Sequence, residues 1–305
     1  MLEDIKGYST WKNVENISKG WSSDIKYLVT TDDDKKLLLR VSDIKYHDEK
    51  KIEYETIKKF STSGIAMNQP VDFGVCNNGQ NVYMLLTWVE GADLEEVLPT
   101  LCLSEQYELG LKAGKILRSI HSIKYDEKDI PKETKKEKLL IKLDKYINSD
   151  IKIENDEKVV DYIKNNIDSI WSVNPTFCHC DFHPGNLIYM PNKEIGVIDF
   201  NRWEITDPYE EFYKLSSFGV ESSIPYCVGQ IDSYFDGNIP ENFWKALKVY
   251  VAWAALYSIA WASKFGEKEM SKMIERATRM INDYDGLTLD IPKWFSSYHN
   301  DEKNL

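Results

Sequence analysis

Positive charge is scarce in this chain of 305 residues: 38 lysines and arginines stand against 50 aspartates and glutamates, a formal net charge of −12. A protein whose main partner is nucleic acid needs the opposite surplus to neutralise phosphates, so that class is set aside. The balance suits a cationic ligand, and equally a protein that is acidic for solubility alone. Cysteine is sparse too. Five of them, an odd number without regular spacing, make no disulfide framework and read as reduced thiols in a cytoplasm. The opening MLEDIKGYST has no basic stretch followed by an apolar one, so no secretory leader is expected. Long apolar runs are missing as well. The longest uncharged one, VYVAWAALYSIAWAS at 249–263, is too short for a bilayer, and Trp253, Tyr257 and Trp261 recur in it at helical spacing. It predicts a buried helix and no membrane partner. There is no internal repeat and no low-complexity linker.

What is present is the balance of a globular protein, 42% hydrophobic and 29% charged. The first ninety residues read as mostly β with one helix. The runs 25–30 (IKYLVT) and 37–42 (LLLRVS) flank the polar TDDDKK as a hairpin, and 47–60 sets Ile52, Ile57 and Phe60 among charges as an amphipathic helix. Two further strands follow in GIAMNQPVDFG and NVYMLLTWVEG, the second nearly all apolar and therefore central. From Ala92 onward the pattern is helical: 104–123 with Ser104 as N-cap, solvated helices in 124–170, and helices again from 207 to the end. Short strands interrupt it at FCHC, NLIYM and EIGVIDF. The simplest organisation is a small β-rich lobe joined through 87–92 to a larger helical one.

Residues 177–186, FCHCDFHPGN, concentrate two cysteines, two histidines, an aspartate and an asparagine. Zinc would need four converging ligands. Cys178 and Cys180 would share one strand face with His179 and Asp181 on the other, and Cys76, Cys102 and Cys227 are scattered. A cysteine nucleophile has His183 as an available base, but nothing else supports it, and buried cysteines are mostly inert packing. A phosphate chemistry uses more of the residues. His179-x-Asp181-x4-Asn186, a short hairpin, and then Asp199 in VIDF bring two carboxylates and an amide together on a strand–loop–strand. Phosphoryl transfer needs one carboxylate to orient and deprotonate the attacking hydroxyl, and hard oxygen ligands for magnesium.

HCDFHPGN followed by VIDFNRWEITDPYEEF resembles the signature of the aminoglycoside phosphotransferase family, within the wider protein-kinase-like fold, whose usual form is H-G-D-x-x-x-x-N, I-D-x-x and D-P-x-x-D. The resemblance covers roughly residues 15–220. It implies an α+β fold of two lobes: a small β-rich nucleotide-binding lobe over 1–90, and a larger, mainly helical catalytic and substrate-binding lobe over 91–305. It also implies an Mg2+-dependent transfer of the γ-phosphate of ATP or GTP to a small, cationic hydroxyl compound, an aminoglycoside first of all and hence antibiotic resistance. Carried over residue by residue, Asp181 matches the catalytic aspartate, Asn186 and Asp199 the magnesium ligands, and Asp207 and Pro208 the D-P, while Glu211 stands where the last acid is usually aspartate.

The same comparison gives the first lobe its roles. SKGWSSD (18–24) would cover the phosphates, with Gly20 for the turn and Ser22 as donor. Arg40 stands where protein kinases carry lysine, a planar fork in place of a point charge. Glu53 is its expected helix partner, with Glu55 as the alternative. The hinge strand would offer Leu86 behind the base and the backbone of Thr87 and Val89 to its edge. His179 is expected to bond backbone, and His183 and Pro184 to shape the loop. Arg202 is either a carboxylate partner or solvated, and Trp244, Trp253 and Trp261 are mostly core. Acids for a cationic acceptor would come from Glu204, Asp207, Glu210, Glu211, Glu221 and Asp232, with Glu204 the first choice. Relatives with this signature also act on choline, homoserine, fructosamines or methylthioribose, and macrolide enzymes often replace the asparagine that this chain keeps at 186. A small-metabolite kinase and a catalytically silent kinase-like binding module therefore stand as the other readings.

Overall fold

The computed structural model of the chain describes residues 2–18, 24–149, 151–154, 156–262 and 266–302. The chain divides into two compact units, Met1–Gly91 with Ile188–Asn201, and Ala92–Leu187 with Arg202–Leu305.

The first unit is built on an antiparallel sheet of β1 (Trp11–Ile17), β2 (Ile25–Thr31), β3 (Lys36–Asp43), β4 (Pro70–Cys76) and β5 (Asn81–Thr87), in the order β1-β2-β3-β5-β4. The β2–β3 hairpin closes where the sequence places it. Asp34 takes the left-handed conformation at φ 59°, and Thr31 and Lys35 bond across the turn at 2.9 Å, a role aspartate fills because its short polar side chain tolerates that region. β5 is central, and Val82 through Leu86 are all buried, as their unbroken apolar run requires. β1 is not among the expected strands. Its sequence WKNVENI buries only every third side chain in part, the pattern of an edge, and so carries no clear period of two. Val29, Leu39, Val41, Cys76, Tyr83 and Leu85 pack one face of the sheet. Helix α1 (His47–Phe60) turns Glu53, Thr56, Ile57 and Phe60 inward, with Asp48 and Glu49 in its first turn and Lys58 and Lys59 in its last, as the helix dipole favours. Residues 188–201 lie far downstream yet pack here, through the strand Ile195–Val197 and a bond from the Val197 N–H to the Ala66 carbonyl.

The second unit is helical: α2 (Leu94–Val97), α3 (Leu103–His121), α4 (Lys135–Ile147), α5 (Asp156–Asn166), α6 (Val220–Ser222), α7 (Ile224–Tyr234), α8 (Glu241–Ala262), α9 (Glu267–Asn282) and α10 (Lys293–Glu302). The apolar run lies in α8, where Val249 through Ala255 are buried against α4, α5 and α9. Trp253 and Trp244 are core there, while the side chain of Trp261 lies outside the described residues. No helix of the described residues is long and apolar enough to cross a membrane. The cap of α3 is Cys102, whose N–H donates to Glu105 at 3.3 Å; Ser104 falls inside the first turn, because the acid that completes the cap sits three residues after 102. α3 and α7 approach closely at glycines. A Cβ on Gly110 would lie 2.2 Å from the Tyr226 carbonyl, and one on Gly229 2.4 Å from that of Tyr107. Between the helices, the strands Thr176–Cys178 and Glu204–Thr206 pair antiparallel, and the first of them delivers the loop that follows.

Candidate active site

In the first unit Arg40 is carried on β3 with its side chain only 4% exposed. A buried guanidinium needs anions, and it has two. Nε and Nη2 both donate to Asp24 Oδ2, at 2.9 and 2.5 Å, and Nη1 donates to Glu53 Oε1 at 2.5 Å. The Arg40 partner on α1 is therefore Glu53; Glu55 points to solvent and comes within 4.0 Å of Lys58. Lys50, one turn before Glu53, binds the same two carboxylates at 2.8 and 3.1 Å, and the Ser42 hydroxyl donates to Asp24 Oδ1 at 2.7 Å. Burial alone would raise the Asp24 pKa, but Arg40 and Lys50 pull it down to about 2. Burial would likewise weaken the Arg40 proton, and Glu53, Asp24 and Asp199 overcome it. Asp24 and Lys50 were not singled out from the sequence. Asp24 closes the stretch SKGWSSD, whose Gly20 and Ser22 lie outside the described residues.

At the hinge strand, the Thr87 N–H donates to the Gln69 carbonyl and the Thr87 carbonyl accepts from Asn68 Nδ2, both at 2.8 Å. Both backbone groups thus have partners within their own unit. Leu86 is buried in β5, and Val89 is buried beside Gly196. Asp199 has φ 65°, a left-handed backbone at a non-glycine residue, the kind of strain that persists where the surrounding structure holds it.

In the second unit the loop 179–186 builds itself around Asp181. His179 is fully buried, and its Nδ1 accepts the Asp181 N–H at 3.2 Å, which is the backbone role expected of it. His183 Nδ1 accepts the Gly185 N–H at 3.2 Å, and burial lowers its pKa to about 4, so the ring is neutral at pH 7. Asn186 Nδ2 donates to the Asp181 carbonyl at 2.9 Å, which commits the amide nitrogen to the loop and leaves the amide oxygen as the atom to offer a ligand. Cys180 stands where the signature usually has glycine, and its φ of 62° explains that preference. Its N–H is held by Glu211 Oε1 at 2.5 Å.

Two cations and the neutral His183 ring surround the Asp181 carboxylate. Lys214 Nζ lies 2.5 Å from Oδ1, Arg202 Nη1 3.6 Å and His183 Nε2 3.7 Å from the same oxygen. Burial would favour the neutral acid, but Lys214 and Arg202 hold it well below the usual carboxylate range. Arg202 thus joins a carboxylate while its side chain stays 49% exposed.

The six acids nominated for a cationic acceptor all have partners. Glu204 binds Lys138 closely and Lys135 at 3.6 Å. Glu210 pairs with Lys135 at 2.7 Å. Asp207 is buried and caps its own turn, accepting the N–H groups of Trp171 and Tyr209 and the Tyr250 hydroxyl. Glu221 takes Arg276 through two bonds, at 2.8 and 2.6 Å, and Arg279 at 3.0 Å. Asp232 meets the Tyr107 hydroxyl at 3.0 Å and His299 at 3.4 Å. Glu211 holds the backbone of the loop 179–186 through the Cys180 N–H, and its own burial raises its pKa to about 7. Cys178, whose thiol faces the Thr206 carbonyl, lies with His121 and Glu211 in a fully buried group that does not include Cys180.

Solved structures that resemble the chain include the GDP complex of an aminoglycoside 2'-phosphotransferase-IIIa, with a TM-score of 0.70, 15% identity and coverage of 93% of this chain and 97% of that one. The GDP and kanamycin complex of APH(2")-IIia gives a TM-score of 0.69 at 16% identity, covering 90% and 94%. Spectinomycin phosphotransferase with ADP and spectinomycin gives 0.63 at 15%, covering 89% of both chains. The fold is thus that of the aminoglycoside kinases, protein-kinase-like, with a β-sheet N-terminal portion and a helical C-terminal one. No curated protein sequence matches the chain. The model of the phosphotransferase enzyme family (APH) matches residues 13–244, about three quarters of the length, and the chain belongs to that family.

Proposed function

We propose that the protein transfers the γ-phosphoryl group of ATP or GTP to a hydroxyl of a small molecule, and that a cationic aminoglycoside is the first acceptor to test. The observation that carries this reading is Asp181: an ionised, buried carboxylate on the same short loop as an asparagine whose amide oxygen is left to a ligand. In the proposed reaction the acceptor oxygen bonds to the γ-phosphorus as the bond to the β–γ bridging oxygen breaks, and the nucleoside diphosphate leaves. Asp181 orients the hydroxyl and takes its proton late, because the transition state is loose. Arg40, steadied by Glu53 and Asp24, lies against the α- and β-phosphates, Leu86 packs behind the base, and Val89 offers its backbone to the base edge. Residues 1–90 would serve the nucleotide, and 91–305 catalysis and the acceptor.

Asn186 and Asp199 each carry a hard oxygen, the donor type that magnesium prefers, and would be the residues to hold it. When bound, the ion would supply positive charge to offset what builds on the phosphates.

The aminoglycoside reading draws on the kanamycin and spectinomycin bound by proteins of the same fold. A small-metabolite hydroxyl is the second reading, favoured by the lysines and arginines that already occupy Glu204, Glu210 and Glu221. A silent binding module would be expected to lack one of Asp181, Asn186 or Asp199, and all three are present.

The test is magnesium-dependent consumption of ATP and GTP across a panel of aminoglycosides and of choline, homoserine and fructosamine. Asp181→Ala is expected to lower turnover by about 10²–10⁴-fold, the usual worth of a positioned base, with nucleotide affinity kept. Turnover equal to that of the unaltered protein in this variant would refute the assignment.

A further inference from the structure

Lys214 belongs to none of the motifs that mark the family, yet it makes the shortest contact to Asp181. We propose that Lys214 is a positioning residue for phosphoryl transfer: by holding Asp181 Oδ1 it turns Oδ2 toward the acceptor hydroxyl. The inference rests on the role proposed for Asp181.

Three observations carry it. The first is the contact itself, Nζ to Oδ1 at 2.5 Å, with both side chains largely removed from water. Arg202 and the neutral His183 ring approach that same Oδ1 at 3.6 and 3.7 Å, so among the described residues these contacts gather on one oxygen, and Oδ2 is the one that would face a ligand. The second is how the ammonium is fixed. It lies over the ring of Tyr213 at 5.1 Å and over that of Phe218 at 5.5 Å, so aromatic faces as well as the carboxylate define its place. The third is the backbone that delivers it. Lys214 stands between the 3-10 turn Pro208–Phe212 and a π-helical stretch, Leu215–Gly219. Such stretches are rare and occur often at functional sites. Glu211, three residues earlier, holds the Cys180 N–H. One short segment therefore grips the loop twice, at the Cys180 backbone N–H through the Glu211 side chain and at the Asp181 carboxylate through Lys214.

Stability alone gives little reason for this arrangement. A buried ion pair contributes little net stability, because desolvation offsets the attraction, and an apolar side chain of similar volume usually serves as well. The reaction gives it a use. Proton transfer to Oδ2 as the O–P bond forms needs that oxygen held to within a fraction of an ångström, and a misplacement of about 1 Å costs about 10²-fold in rate.

The experiment compares Lys214→Met, Lys214→Arg, Lys214→Ala and Asp181→Ala. Turnover of Mg·ATP and Mg·GTP is measured with the best acceptor of the panel, or with water where none is better, and nucleotide affinity by calorimetry. Lys214→Met is expected to lower kcat about 10²-fold while leaving nucleotide affinity and KM for the acceptor within threefold, and Lys214→Arg to restore part of kcat. Propylammonium added to Lys214→Ala should raise kcat with concentration and do nothing for Asp181→Ala, a readout that a purely structural lysine would not move and that needs only the folded fraction. If Asp181→Ala is inactive while Lys214→Met keeps kcat, the inference on Lys214 is overturned and the reading of Asp181 stands. Full turnover in Asp181→Ala would overturn both. Loss in Lys214→Ala without amine rescue, and no recovery in Lys214→Arg, would also overturn the positioning role.

Discussion

Replacing Asp24 by asparagine keeps the shape of the side chain and removes one charge from the buried group of Arg40, Lys50, Glu53 and Asp24. The Asp24 side chain is only 2% exposed, so solvent screening does not discount its interactions. Its pKa falls from 3.8 to about 2 on folding, which corresponds to about 2.5 kcal/mol at 1.36 kcal/mol per unit. Breaking a buried pair from one side costs about 3–5 kcal/mol in other proteins, because a charge is left without its partner. The two routes meet near 3 kcal/mol. With an m-value of about 2–3 kcal/mol/M, urea unfolding at pH 7 should show the midpoint falling by about 1 M. Glu90→Gln is the control. Its partner Lys36 lies at 3.1 Å, but both side chains are about half exposed, and such pairs contribute little. Because the Asp24 pKa is lowered on folding, its contribution is whole above about pH 4 and disappears as pH falls through about 2. The difference between the two proteins should shrink over that window. A midpoint for Asp24→Asn indistinguishable from that of Glu90→Gln would refute the reasoning.

Two further outcomes follow from the loop 179–186. The Glu211 pKa is raised from 4.5 to about 7, so its neutral form favours the fold in full below about pH 4.5, and that gain is lost as pH rises through 7. The loss amounts to about 3 kcal/mol. Glu211→Gln keeps an acceptor for the Cys180 N–H, and should flatten the decline in stability between pH 5 and pH 8; an unchanged slope would count against a neutral Glu211. Cys180→Gly relieves a left-handed backbone worth about 1 kcal/mol, which should offset the lost thiol packing and leave stability within about 0.5 kcal/mol and turnover intact. Cys227→Gly, made at a buried position inside α7, should instead cost about 2 kcal/mol or more, and equal losses at the two sites would contradict the account of Cys180.

Much of the molecule could be read from local pattern. The polar TDDDKK between two β-rich runs is a hairpin, the nearly all-apolar NVYMLLT is a central strand, and VYVAWAALYSIAWA lies in helix α8, buried over 249–255. β1 escaped because an edge strand with few buried side chains has no strong alternation to display. The cap of α3 was misplaced by two residues because Ser104 is the stronger capping type, whereas the position of Glu105 decides the register.

The chemistry divides along the same line. Asp181, Asn186 and Asp199 stand out in the sequence because the proposed phosphate chemistry would need fixed residue types at fixed separations, and separation along the chain is what a sequence displays. Arg40 and Glu53 were legible as a pair for the same reason. That Asp24 shares Arg40, that Lys214 holds Asp181, and that lysines and arginines already occupy Glu204, Glu210 and Glu221 became visible only in three dimensions. A burial period records which face of an element turns inward. It does not record which remote charge it will meet there, and at distances below 4 Å, away from water, that meeting decides whether a carboxylate is committed to the fold or open to a ligand.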